Sequence, residues 1–107
     1  MLNLFVAQGD KGYGVAFTVY TSEAHTQVKN LTGYTARLKA WVPNRMTPLV
    51  IDEACALAAD PTTGVCTWVV MAANTANAGT YYAEIELLKS GVQESTGTFL
   101  LVVLPSP

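Results

Sequence analysis

A chain of 107 residues, 50% hydrophobic and 13% charged with a net charge of −2, fits one domain with a single modest core, here taken as residues 1–107. The six basic residues form no cluster beyond Arg37 and Lys39, which excludes the phosphate-neutralising stripe of a nucleic-acid binder. No apolar run approaches the roughly 18 residues of a membrane span, and Met1–Gln8 lacks the basic start and apolar length of a secretory leader, so the chain is expected to stay in a cytoplasm until assembly or release. An ordinary globular domain carries roughly 25% charged residues. With so few charges, either Thr, Asn and Gln solvate the surface or neighbours in an assembly cover part of it, and the second reading is preferred.

The elements predicted in chain order are nearly all strands. Leu2–Ala7 is an apolar opening strand that ends in the turn residues 8–12. Val15, Phe17 and Val19 alternate with Ala16 and Thr18, the pattern of a half-buried strand. Residues 21–33 are polar and irregular and close on the turn Asn30-Leu31-Thr32-Gly33. Next, Ala36, Leu38, Ala40 and Val42 face one way while Arg37, Lys39 and Trp41 face the other, until residues 43–45 break the strand. The short apolar run Leu49-Val50-Ile51 follows Pro48 and suits an edge. Two further strands, Cys55–Ala58 and Val65–Val70, flank Asp60-Pro61-Thr62-Thr63-Gly64, a loop with Pro preset for a turn and Gly free to take left-handed φ.

Ala-rich stretches at 51–59 and 71–78 have helix propensity, but Asp60-Pro61 and Asn74, Asn77 and Gly79 interrupt them. At most one helical turn is expected, within Met71–Ala76. Thr80–Leu88 alternates again, Lys89-Ser90-Gly91 turns the chain, and Thr96–Leu104 is the last strand.

The most informative segment is Asn77-Ala78-Gly79-Thr80-Tyr81. A Tyr two residues after a turn Gly can bury its ring while its hydroxyl reaches back to the backbone, the arrangement of a tyrosine corner. With seven or eight short strands and turns roughly every 8–12 residues, it predicts an all-β, immunoglobulin-like antiparallel β-sandwich.

Several motifs in order carry a family resemblance. They are Gln8-Gly9-Asp10 before a strand, Asn30-Leu31-Thr32-Gly33 before Thr35-Ala36-Arg37-Leu38, and residues 60–65 before Trp68. Ala78-Gly79-Thr80-Tyr81-Tyr82-Ala83-Glu84 and Thr98-Phe99-Leu100-Leu101-Val102-Val103 complete the set. Together they resemble the immunoglobulin-like N-terminal domain of phage baseplate upper proteins, also known as a stand-alone module among tailed-phage structural proteins. The resemblance implies a virion protein that decorates or connects capsid, tail or baseplate proteins, and other copies of itself, with no cofactor and no catalysis. Two departures stand out. Ala83 occupies the place where antibody-type domains carry the second inter-sheet Cys. The chain also holds one domain where a baseplate upper protein continues, which favours a decoration or connector role.

Side chains that could carry chemistry are few. Cys55 and Cys66 lie on the two arms of the predicted hairpin and form either a disulfide or two buried thiols. A four-residue loop would set Cys66 opposite Ala59 and favour thiols, as does cytoplasmic assembly. Two Cys and one distant His fall short of a metal site. Ser22, His25 and Asp10 assemble no triad by any sequence signature, such as a nucleophile elbow. Glu84 and Glu86 share one strand face and read as a solvated ladder paired with Arg37 and Lys39.

Trp41, on that same face, is a candidate interface anchor with Arg37 and Lys39. Trp68 reads as core. The terminal strands are apolar on both faces, so Leu101 and Val103 are further interface candidates, with a neighbouring subunit over the outer face. The alternative function is a carbohydrate-binding module for host attachment, with Trp41, Tyr34 and Tyr20 as its aromatics.

Overall fold

The computed structural model describes residues 3–21, 27–44 and 49–106. The fold is all-β, with eight strands among the described residues: β1 (Asn3–Ala7), β2 (Gly14–Thr18), β3 (Thr35–Trp41), β4 (Ile51–Leu57), β5 (Val65–Val69), β6 (Gly79–Lys89), β7 (Val92–Ser95) and β8 (Phe99–Leu104). They form one curled sheet in the order β1-β8-β6-β3-β4-β5-β2, with β7 added beside β6. The curl comes at β4. Its residues Ile51–Cys55 pair with β3, and Ala56 and Leu57 pair with β5. One strand therefore belongs to a large layer on one side and to the small β4-β5-β2 layer on the other, and the core lies between them.

Period two drives this arrangement. Along β6, Tyr81, Ala83, Ile85 and Leu87 are buried. Leu38, Trp68, Leu101 and Val103 meet them in the same apolar cluster, with Val15 and Phe17 packed against it. The tyrosine corner is present: the Tyr81 hydroxyl donates to the Asn77 carbonyl at 2.8 Å. Asp60 caps a single 3₁₀ turn at Pro61–Thr63 by accepting from the Thr62 amide at 3.1 Å, and Gly64 follows at φ 74°. The turn expected within Met71–Ala76 is a 3₁₀ turn at Ala72–Asn74.

Four expectations are corrected. The sandwich is not wholly antiparallel: β1 runs parallel to β8, with Phe5 opposite Val102. The two strands are far apart in sequence, so no hairpin forces them to oppose. The two segments expected at Leu49–Ile51 and Cys55–Ala58 are joined by one strand, Ile51–Leu57, because pairing of Ala54 and Cys55 with β3 overrides the helix propensity of Ala. Val92–Ser95 is a strand although Gln93-Glu94-Ser95 shows no apolar alternation; the hairpin after Lys89 lays it on β6. The last strand begins at Phe99, because Thr96 is occupied in binding Ile85 through both its amide and its hydroxyl at 2.9 Å.

Candidate interaction surfaces

The outer face of the large layer has two halves. On β3, β4 and β6 the charges meet in pairs. Arg37 Nε donates to Asp52 Oδ1 at 2.8 Å, and Lys39 Nζ donates to Glu86 Oε2 at 2.8 Å. Glu86 is only 7% exposed and also accepts from Gln93 Nε2 at 3.2 Å. These carboxylates hold both cations above their ordinary pKa range. Of the ladder read from the sequence only the Lys39–Glu86 pair forms, with Glu86 buried rather than solvated, and Arg37 pairs with Asp52 on β4. The charges satisfy one another, and the exposed Arg37–Asp52 pair contributes little energy.

The other half lies on β1 and β8 and is apolar. Directly paired residues point to the same side of a sheet, so Phe5 and Val102 stand together on the outside. Phe5 is 57% exposed and Leu104 is 45% exposed. Leu101 and Val103 were the expected contact residues on β8, and they are buried in the core instead. The apolar run 99–104 gave no alternation from which to choose the face, and the structure assigns the outside to Leu100, Val102 and Leu104. Trp41 is also corrected as an exposed anchor. It is 8% exposed, and its ring meets Tyr82 edge to face at 6.3 Å. The pairing of Trp41 with Tyr82 across β3 and β6 was the missing signal.

A groove of about 430 Å³ opens between β7 and the segment after β2, lined by Val19, Tyr20, Thr21, Lys29, Glu94 and neighbours. Lys29 Nζ lies 3.0 Å from Glu94 Oε2. Hydrogen bonding to this ammonium lowers Glu94 below the usual carboxylate range, and Lys29 rises in return. The Tyr34 ring has the Lys29 and Lys89 ammoniums 5.3 and 5.2 Å from its centre. Of the three aromatics expected of a carbohydrate site, Trp41 is buried, Tyr34 meets two cations and Tyr20 lines the groove.

Cys55 and Cys66 are free thiols, both buried. Leu57, not Ala59, faces Cys66, which puts Cys55 diagonal to it on the same inner face. The hydrogen bond between the two thiols, followed by burial, pushes Cys55 far up. The same contact lowers Cys66 against the burial that raises it. Trp68 is core, as its alternation indicated, and its Nε1 has no partner among the described residues. Leaving such a donor unpaired costs about 1–3 kcal/mol. Ser22, Glu23 and His25, and with them the triad, lie outside the described residues. Among the described residues no three His, Cys, Asp or Glu side chains converge as a metal site would require.

These features define a small all-β domain with one apolar outer strip on β1 and β8 and paired charges on β3, β4 and β6. Two solved structures share the architecture. The N-terminal domain of phage TP901-1 ORF48 superposes with a TM-score of 0.65 at 17% identity, covering 97% of this chain and 84% of that one. CopC from Methylosinus trichosporium OB3b superposes with a TM-score of 0.54 at 15% identity, covering 98% and 86%. At such identities the likeness is one of fold. No protein-family model and no curated protein matches the chain.

Proposed function

We propose that this chain is a structural module of a tailed-phage particle, located in the virion. It decorates or connects capsid, tail or baseplate proteins by burying its own surface, and it performs no catalysis. The observation that carries the reading is the strip of Phe5, Val102 and Leu104. It is apolar on the outside of strands whose inner faces already fill the core, and exposed apolar surface of this kind marks a contact site. The motif order read in the sequence and the fold shared with a phage domain support the same reading.

The test is mass spectrometry of purified particles from a phage carrying the gene. The chain should be present in fixed proportion to the major virion proteins, and Phe5→Asp with Leu104→Asp should deplete it while the isolated protein stays folded. A chain absent from intact particles, or retained undiminished with both substitutions, would overturn the reading.

A further inference from the structure

The sheet path ends in two edges, β1 and β2, with β7 as a short third. A free edge invites pairing with another chain, and proteins blunt such edges with charge, proline, bulges or covering groups. β1 is blunted. Gln8 donates to the Leu104 carbonyl, so alternation along the strand turns the backbone of Leu4 and Val6 toward β8 and that of Phe5 and Ala7 outward. At Ala7 the outward groups are taken: its amide donates to Asp10 Oδ2 at 3.1 Å, and its carbonyl accepts from the Asp10 amide at 3.1 Å. β7 is short and carries a charge, Glu94, bound by Lys29.

β2 has no such protection. Its sequence, Gly14-Val15-Ala16-Phe17-Thr18, contains no charge and no proline. The ladder with β5 is fixed at both ends by Val19 donating to Gly64 and Val70 donating to Tyr13, each at 2.8 Å. The register between them makes the odd-numbered residues face β5. Gly14, Ala16 and Thr18 therefore turn every N–H and C=O outward, and none of these groups has a backbone partner outside the strand ladders among the described residues. All three residues are exposed, and their side chains are small.

We infer that β2 is the contact through which a second copy of this chain docks, antiparallel and two-fold symmetric about Ala16. The register is self-complementary. Ala16 meets the partner's Ala16, Gly14 meets the partner's Thr18, and Thr18 meets the partner's Gly14. Each of these is a hydrogen-bonded pair, so every outward N–H finds a C=O, and no bulky or charged side chain opposes its copy. An isologous contact of this kind closes at two subunits, and the small layers of both copies join into one continuous sheet. The contact uses a different surface from the Phe5 strip and stands independently of the particle reading.

The test is the mass of the full-length chain in solution, measured by light scattering and sedimentation across concentration. A monomer–dimer equilibrium is expected. Ala16→Pro removes only an outward amide, a place where an edge strand tolerates proline. Ala16→Lys sets like charges against each other on the axis. Both should raise the dissociation constant by roughly tenfold or more with circular dichroism and melting unchanged. Ala16→Cys should form a covalent dimer under mild oxidation, because hydrogen-bonded antiparallel pairs stand about 5.5 Å apart at Cα, within the reach of a disulfide. The exposed control Ala54→Cys should not cross-link. A monomer at every concentration, or a dimer undisturbed by both Ala16→Pro and Ala16→Lys, overturns the inference. Neither result bears on whether the chain is found in particles.

Discussion

β1 and β2 close the two ends of the sheet path, and the molecule treats them in opposite ways. β1 brings its bulk outward in Phe5 and has its last backbone groups tied by Asp10. β2 turns Val15 and Phe17 inward, with Phe17 against Phe99 at 5.5 Å, and leaves small residues and bare backbone outside. One end therefore presents an apolar face and a capped edge, the other a bland face and an open edge. Strand composition alone does not set this contrast, since neither strand carries a charge. It depends on a loop residue, Asp10, and on which phase of the alternation meets the core. On the proposed readings, a face such as β1–β8 would recognise shape and an edge such as β2 an extended backbone.

The largest expected effect breaks the β2 end outright. Trp68 lies opposite Val15 and is fully buried, so Trp68→Ala should destabilise the fold by about 3–5 kcal/mol and release β2 with it. Denaturant unfolding measures this, and a loss below about 1 kcal/mol would mean that β2 is not seated on that ring. The β8 end gives a smaller figure. Tyr81 pairs with Leu101, and Tyr81→Phe deletes the bond to the Asn77 carbonyl at a cost of about 0.5–1.5 kcal/mol. Thermal unfolding should show the variant folded but weakened.

The finest effect concerns the cap on β1. The Tyr13 hydroxyl donates to Asp10 Oδ2. That bond holds Asp10 below the usual carboxylate range, with the Ala7 amide adding to it, and pushes Tyr13 from 10.0 up to about 12. The depressed Asp10 contributes above the ordinary carboxylate range, and its contribution is lost as pH falls through its lowered value. The raised Tyr13 contributes fully below about 10, and that contribution is lost as pH rises through about 12. In Asp10→Asn the Tyr13 phenol should return toward 10 in an ultraviolet titration, and the Ala7 amide should exchange faster with solvent. Unchanged exchange at Ala7 would remove the asymmetry between the two edges.

Much of the architecture was readable because burial on one face imposes alternation. The β6 pattern and the tyrosine corner follow from Gly79, Tyr81, Ala83, Ile85 and Leu87, and Trp68 falls to the core by the same rule. Where alternation failed, so did the reading. Phe99–Leu104 is apolar throughout, so nothing local separates inward Leu101 and Val103 from outward Leu100, Val102 and Leu104. β7 is polar after Val92 and showed no strand. Trp41 sits on the charged face of its strand yet is buried, with Tyr82 of the neighbouring strand against its ring.

By itself the sequence determined the all-β class, the turn positions at Asp60–Gly64 and Asn77–Gly79, and the scarcity of charge, because turn chemistry and period-two burial act between near neighbours. Tertiary structure decided the parallel seating of β1 on β8, the crossing of β4 between layers, the thiol pairing and the difference between the two edges. Each of these depends on which distant strand lies alongside, and that choice is made by the shared core rather than by any local run of residues.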